Sequence, residues 1–399
     1  MRNFIVFILI LFALAALLRI DFFFTILYLF IGIYSVTRIW SRRVLKNLKI
    51  NRAFEQRVFL GEQITVSLKL ENLGRLPIPW LMLNDTFSTV LSSPPFFREI
   101  ITLGSRAKQT LRYSLNARRR GFYQIGPLLL ETGDLLGIYR SISSQFKSDY
   151  LIVYPKILPI AQLGLPTHSP QVVLQTTIPL FQDSTRIIGV RDYVPGDNPR
   201  HIHWPVTAAT RQLLVKQFQT AIARDNAIFL NLELSDYGRP GQAAVSIELA
   251  IVVAASLAHH MIVFEQLPVG LITSGFDPLS KNQKSFRLNP EKGRGHLMQI
   301  LEVLARVEGS DDTVFLNRLR QEAVHLSWGT TIIIITSTQS EELLNTALLL
   351  KRSGFQVTLV LVQPAAYSYP TIKRTAEGLG ISIFKIKREK DIEAWLADQ

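Results

Sequence analysis

Two apolar runs near the start, residues 4–18 and 22–36, constrain this chain more than anything that follows. Only Arg19-Ile20-Asp21 separates them. Each run is about 15 residues, or about 22 Å as helix, against a bilayer core of about 30 Å. Flanking residues such as Ile20, Ile39 and Trp40 can lengthen them, and Arg19 can reach the interface with its long stem. The pattern predicts a helical hairpin with a tight polar turn. Ala13-Leu14-Ala15 is a passable signal-peptidase motif, but the second apolar run follows within a few residues and argues against cleavage and export. Arg38, Arg42, Arg43 and Lys46 crowd the far end of the second run, whereas the turn carries one Arg against one Asp. The excess of positive charge on the cytoplasmic side predicts a two-pass protein of the cell inner (plasma) membrane, with everything downstream in the cytoplasm. A single long span would reverse that orientation.

Charge supports the same reading. The net charge is +13, and residues 1–60 hold nine basic and two acidic side chains, about half of the excess. Basic residues beside an apolar segment suit anionic membrane lipid. No nucleic-acid-reading motif accompanies them, so no nucleic acid is expected. The chain has no cysteine, which removes disulfides and thiolate zinc sites and fits a reducing compartment.

From residue 52 to about 155 the hydrophobic period becomes two. Residues 64–70, ITVSLKL, alternate as a half-buried strand does, and short strands are predicted near 111–115, 121–125 and 128–131. Their spacing and turn residues predict an immunoglobulin-like β-sandwich. Residues 161–179, with Pro166, Pro170 and Pro179, read as a polar connector of high mobility. From 226 onward strands and helices alternate. Strands are predicted at 227–232, 267–273, 331–336, 356–361 and 381–385. Helices are predicted at 245–264, 291–306, 313–323, 341–352, 369–378 and 391–397. That order predicts a parallel sheet covered on both faces. The expected organisation is therefore an anchor (1–45), a β-sandwich (46–160), a connector with a motif (161–225) and an α/β domain (226–399).

The motif is RDYVPGDNPRHIHWPVTAATRQLLVK, residues 191–216. Pro195-Gly196 suits the centre of a type II turn, which would bring Arg191 and Asp192 back towards Asp197 and Arg200. His201 and His203 alternate with Ile202 and Trp204, predicting a short strand with both histidines on one face. A solvated ion-pair cluster is the plain alternative for so many charges around a turn. The ordered set Arg191, Asp192, Tyr193, Pro195, Gly196, Asp197, Arg200, Ile202 and Trp204 resembles the signature of the bacterial "domain of unknown function 58" family. Pro205 and Ala209 stand where that signature usually has a basic residue and an arginine. A second stretch, RGFYQIGPLLLETGDLLGIY, is similar to another pattern of the family through Arg120, Gly121, Tyr123, Gly126, Pro127, Asp134 and Gly137. Its glycines read as turns or bulges, with no chemistry assigned.

The resemblance implies a von Willebrand factor type A-like fold for the C-terminal region. Such domains commonly hold Mg²⁺ at the carboxyl end of the first strand, through Asp-x-Ser-x-Ser with a Thr and an Asp from later loops. The matching positions are Asn231, Glu233, Ser235 and Thr273, and Ser337-Thr338-Gln339 supplies no Asp. A neutral amide in place of the first carboxylate makes the site degenerate for a hard cation. No cofactor is implied beyond that Mg²⁺. His201-x-His203 has metal-ligand spacing but no evident third ligand, and His259-His260 lie in an apolar helix, facing different ways. No nucleophile elbow, phosphate loop or catalytic carboxylate pair is present, so no catalytic residue is singled out. The resemblance further implies a partner, because relatives are often encoded beside MoxR-type AAA+ ATPases. The expected function is a membrane-anchored, cytoplasm-facing adaptor for protein assembly or activation, with residues 191–204 as dock or latch. In that arrangement Asp192, Asp197 and Arg200 would hold the turn, and Tyr193 and Trp204 would pack against the sandwich. An envelope enzyme using Asp192 or Asp197 as acid/base, or a purely structural membrane scaffold, are the alternatives.

Overall fold

The computed structural model describes residues 2–18, 21–133, 140–160, 182–195, 197–220, 225–238, 240–312 and 314–393. It contains two compact units. The first is Met1–Lys156 with Asp277–Lys281 and Leu301–Val307, and the second is Ile157–Phe276, Asn282–Ile300 and Glu308–Gln399.

The first unit opens with helices α1 (Arg2–Leu18) and α2 (Asp21–Lys46), which meet through Phe7 and Phe30 with ring centroids 5.4 Å apart. Leu17, Phe22, Tyr28 and Leu29 are each at least 60% exposed. The α2 segment Phe22–Lys46 is long and apolar enough to cross a membrane. One residue, Asn47, joins α2 to the first strand. Val44 and Leu45 are already buried among Leu48, Ile50, Leu68 and Leu81, and Trp40 donates its indole N–H to Pro77 O at 3.1 Å. The helix therefore ends inside the β-rich core.

The strands of this unit are β1 (Leu48–Ala53), β2 (Arg57–Phe59), β3 (Gln63–Asn72), β4 (Ile78–Thr86), β5 (Phe96–Leu103), β6 (Lys108–Asn116), β7 (Gly121–Ile125), β8 (Leu128–Gly133), β9 (Arg140–Phe146) and β10 (Asp149–Tyr154). They form sheets in the orders β1-β3-β6, β2-β10-β7 and β5-β4-β8-β9. The alternation read in β3 is real: Ile64, Val66, Leu68 and Leu70 are buried while the intervening side chains face out. One apolar cluster joins β1, β3 and β6 to β4, β5 and β8, and a second joins β3 and β6 to β2, β7 and β10.

Between these clusters lies a buried charge. The Arg52 guanidinium grips Asp85 with two bonds (2.7 and 3.1 Å), reaches Asp149 at 2.8 Å and donates to Ile125 O at 3.2 Å. Tyr113 adds its hydroxyl to Asp85 at 2.8 Å. The Arg52 and Asp85 side chains are 1% and 0% exposed. Burial pushes the Asp85 carboxyl up, against the pull of Arg52 and Tyr113. Burial and Asp85 push the Tyr113 phenol up as well.

The second unit begins with strand β11 (Gln182–Asp192), helix α3 (Trp204–Thr210) and strand β12 (Leu214–Thr220), with β11 and β12 antiparallel. Beyond them come β13 (Asn226–Leu230), α4 (Pro240–His259), β14 (Val269–Asp277), β15 (Asn282–Glu291), α5 (Arg294–Arg306, whose second half from Leu301 belongs to the first unit), α6 (Phe315–Ala323), β16 (Thr331–Thr336), α7 (Glu341–Arg352), β17 (Gln356–Val362), α8 (Tyr369–Gly378), β18 (Ser382–Ile386) and α9 (Glu389–Glu393). The sheet order is β15-β14-β13-β16-β17-β18. The strands from β14 through β18 in that order run parallel.

The sheet is mixed, which corrects the expectation of a wholly parallel one. Only residues 278–281 link β14 to β15, too short for a parallel crossover, so β15 returns antiparallel. Its sequence, NQKSFRLNPE, is mostly exposed and carries Pro290, as an edge strand can. The helix α4 and the turn after it, as Gly241–Phe264, also pass for a membrane span in length and composition, but they are largely buried. Ala250, Ile251, Val253, Ala254 and Leu257 are wholly enclosed, so this is a core helix. The expected connector at 161–179 and the end of the last helix, 394–397, lie outside the described residues.

Replacing Arg52 with Met would leave Asp85 buried without its counter-ion. The expected cost is about 3–5 kcal/mol, read as a lowered denaturant midpoint of the β-rich unit in detergent-solubilised protein.

Candidate functional site

The signature residues build a capped turn on the β11–β12 hairpin. Arg191 pairs across to Val215 and Asp192 to Leu214, and Tyr193 N–H continues the ladder to Leu213 O at 2.9 Å. The chain then turns, closed by Asp197 N–H donating to Val194 O at 3.0 Å. Asp197 is clasped by Arg191 through two 2.7 Å bonds and accepts Val194 N–H at 3.0 Å. Those donors, Arg191 first, hold its carboxyl at about 2. Asn198 Oδ1 accepts Arg200 N–H at 3.1 Å and starts the 3₁₀ turn Pro199–His201. His203 Nδ1 accepts Val206 N–H at 3.4 Å and starts α3. Arg211 ends α3 in the left-handed region, φ 59°, where glycine is the usual residue.

The strand expected through His201–Trp204 is not formed. Pro199 and Pro205 each occupy the first turn of a helix, where a missing N–H costs nothing, and Asn198 and His203 cap those turns. The two histidines therefore do not share a strand face. The turn is held by Arg191, Asp197 and Asn198, and not by Asp192 and Arg200, which are both exposed. Tyr193 is half-buried. Trp204, expected to pack away, is 65% exposed, and Val194 and Leu213 stand out at 56% and 49%. Pro195 is exposed and Gly196 lies outside the described residues.

At the carboxyl end of β13 the positions of the degenerate metal site form a closed knot. Asn231 is fully buried. Its amide donates to Asp236 Oδ2 at 2.6 Å and to Thr336 Oγ1 at 3.0 Å, and its Oδ1 accepts Glu233 N–H at 2.9 Å. Glu233 Oε1 accepts the N–H groups of Val314 and Phe315 and so caps α6. Burial pushes the Glu233 carboxyl up, with those two donors opposing. Thr273 Oγ1 donates to Leu230 O at 2.9 Å, and Ser235 is exposed. The amide of Asn231 thus links the Asp236 carboxylate to the Thr336 hydroxyl. Among the described residues, no three His, Asp or Glu side chains are arranged to hold a metal. Asp236 and Thr336, partners of Asn231, and the Val314 and Phe315 amides, partners of Glu233, escaped sequence reasoning because the fold brings them together.

The second motif is structural. Arg120, 7% exposed, donates through Nη1 to Leu304 O, Val307 O and Ala305 O at 2.8, 2.9 and 3.2 Å. Leu304 and Ala305 lie in the last turn of α5, whose final carbonyls lack helical donors, and Val307 follows it directly. Tyr123 donates its hydroxyl to Arg119 O at 2.8 Å. Gly126, at φ +102°, lies so close to Arg52 that a Cβ would come within 3.1 Å of the guanidinium. Asp134 and Gly137 lie outside the described residues. His260 approaches Glu265 at 3.4 Å, and both His259 and His260 touch the ring of Phe264.

Comparison with known proteins places these features. The family model described as "Protein of unknown function DUF58" matches residues 189–372, from the signature hairpin through most of the sheet. An "Uncharacterized protein YeaD" of Bacillus subtilis (strain 168) is 20% identical over 224 residues, covering 55% of this chain and 54% of that protein. The chain thus spans about half the length of this curated relative. Among solved structures, the CARDB domain of the PF1109 protein from Pyrococcus furiosus is 12% identical with a TM-score of 0.20, covering 27% of this chain and 91% of that one. An alpha-2-macroglobulin fragment from Escherichia coli is 19% identical with a TM-score of 0.23, covering 28% and 17%. Similarity at this level establishes no function.

Two outcomes follow from the geometry. The folded Asp197 carboxyl, at about 2 against an ordinary 3.8, makes its ion pair a contribution that is complete above about pH 4 and lost as pH falls towards 2. Carboxyl-carbon NMR of Asp197 should titrate with a midpoint near that lower value. Asn231→Asp removes two buried donors and sets a charge against Asp236. It should cost about 1–3 kcal/mol, read as a lower thermal midpoint.

Proposed function

We propose that this protein is a two-pass membrane-anchored adaptor whose soluble units face the cytoplasm and whose signature hairpin is a docking surface. The observation that carries the reading is the contrast within that hairpin. Its backbone is fixed by the Arg191–Asp197 clasp and two helix caps, yet Trp204, Val194, Leu213 and Arg200 are left exposed. A rigid loop presenting Trp and Arg is what a binding hot spot requires. The mixed sheet, with its antiparallel edge and its loop cluster at the carboxyl ends of β13 and β16, supports reading the α/β unit as von Willebrand factor type A-like. The N-terminal hairpin and its basic flank support the plasma-membrane location and the inward orientation. A MoxR-type AAA+ ATPase as the partner, and protein assembly or activation as the process, rest on the family resemblance alone.

The enzyme alternative gains no specific support. Asp197 has both oxygens engaged by Arg191 and is held ionised at about 2, far from a proton-transfer group working near neutral pH.

Affinity purification of the full chain from native membranes tests the reading. Wild type should retain an AAA+ ATPase, Trp204→Ala should lose it while the fold is intact, and Asp197→Ala should weaken it by loosening the turn. Retention by both variants would remove the hairpin as the dock.

A further inference from the structure

The joint between α2 and the β-sandwich sets how near the sandwich comes to the bilayer, and this rests on the membrane-spanning reading above. A hydrocarbon core of about 30 Å takes about 20 helical residues. Counted from Phe22, the first residue past the polar turn, that length reaches Trp40 and Ser41. Trp40 is thus at the edge of the hydrocarbon, the depth at which tryptophan is enriched. Its indole N–H, however, is bonded to Pro77 O at 3.1 Å. The loop between β3 and β4, residues 73–77, is therefore at the same depth at its Pro77 end. Its other end is tied further along the helix, where Leu73 N–H donates to Asn47 O at 2.9 Å. Seven residues separate Trp40 from Asn47, about 10 Å of helix. The headgroup layer on each side is about 5–8 Å deep. The loop consequently runs the full depth of that layer, alongside the last two turns of α2.

The side chains there suit an anionic surface. Leu73 is 59% exposed and Pro77 is exposed. Arg75 lies midway along the loop, exposed, with no ion-pair partner among the described residues. Arg43 and Lys46 of α2 are exposed beside it in sequence depth. The turn between β5 and β6 joins this group, since Arg106 N–H donates to Gly74 O at 3.2 Å and its side chain is exposed. Glu71, the nearby acid on β3, is neutralised by Lys108 at 2.7 Å. Asn72 holds the loop in place, donating to Leu76 O and Gly104 O, both at 2.9 Å, and accepting Gly74 N–H at 3.0 Å.

We propose that residues 73–77 of the sandwich are a headgroup-binding loop, seated in the bilayer surface, in which Arg75 and Arg106 act with Arg43 and Lys46 on the phosphates of anionic phospholipids. The occupant is lipid, because the loop is bonded to the helix at the depth where headgroups must lie.

The chain has no cysteine, so Pro77→Cys, Leu29→Cys and Phe96→Cys each give a single labelling site. Leu29 reports the span. Phe96 reports the opposite end of β5, about 23 Å along the strand from the β5–β6 turn. Full-length protein carrying an environment-sensitive thiol fluorophore is reconstituted into vesicles of phosphatidylcholine alone or mixed with phosphatidylglycerol. Each set also contains nitroxide-labelled phospholipid as quencher, with the label in the headgroup for Pro77→Cys and Phe96→Cys and midway along the acyl chain for Leu29→Cys. The expected result is quenching at Leu29→Cys and Pro77→Cys but not at Phe96→Cys, with the Pro77→Cys quenching greater in phosphatidylglycerol. Adding Arg75→Glu and Arg106→Glu, both exposed positions, should abolish that excess. Quenching at Leu29→Cys with Pro77→Cys as unquenched as Phe96→Cys would overturn the proposal and leave the span standing. No quenching at Leu29→Cys would overturn the span itself. Equal quenching of Pro77→Cys in both lipids, unaltered by the glutamates, would overturn recognition of anionic headgroups.

Discussion

Four strands of the β-rich unit converge on one buried ion cluster. Arg52 on β1 holds Asp85 of β4 and Asp149 of β10, Tyr113 of β6 completes the shell of Asp85, and Gly126 closes the turn over it. A charge so enclosed is tolerable only while every partner is in place. The arrangement is a geometric specification as much as a source of stability, because each partner fixes the register of its own strand. It also accounts for a glycine that carries no chemistry: any side chain at residue 126 would press on the Arg52 nitrogens.

A related economy governs the α/β unit. Glu233 and Asn231, expected from sequence to mark a degenerate metal site, do other work: one caps α6 and the other links Asp236 to Thr336. Polar side chains at the carboxyl ends of β13 and β16 have to be satisfied somehow once buried. Here neighbouring amides and hydroxyls do it. The signature hairpin follows the opposite course, with satisfied backbone and clasped carboxylate but unsatisfied apolar surface.

Much of this could be read from sequence, for physical reasons that also mark the limits. The strand at Thr331–Thr336 and the helices Glu341–Arg352 and Tyr369–Gly378 have the predicted bounds, because buried parallel strands and amphipathic helices write their periods plainly. Strand β15 escaped notice because an exposed edge needs no apolar alternation. Around His201–Trp204 the alternation was genuine but misleading, since Pro199 and Pro205 with their caps outweighed it. The approach of Arg191 to Asp197 was legible in the Pro-Gly turn between them, whereas the Asn198 cap, a local bond to Arg200 N–H, was passed over among the surrounding charges. Arg120 was legible as a motif residue, but its carbonyl partners lie more than 180 residues away.

The single residue between α2 and β1 has a geometric consequence. An α-helix turns about 100° per residue, and with Val44 and Leu45 built into the β-rich core there is no swivel to absorb a change in phase. The angular position of the β-rich core around the helix axis is therefore written into the number of residues in α2. Any partner that grips one face of α2 therefore meets, at the same time, one fixed side of the β-rich unit.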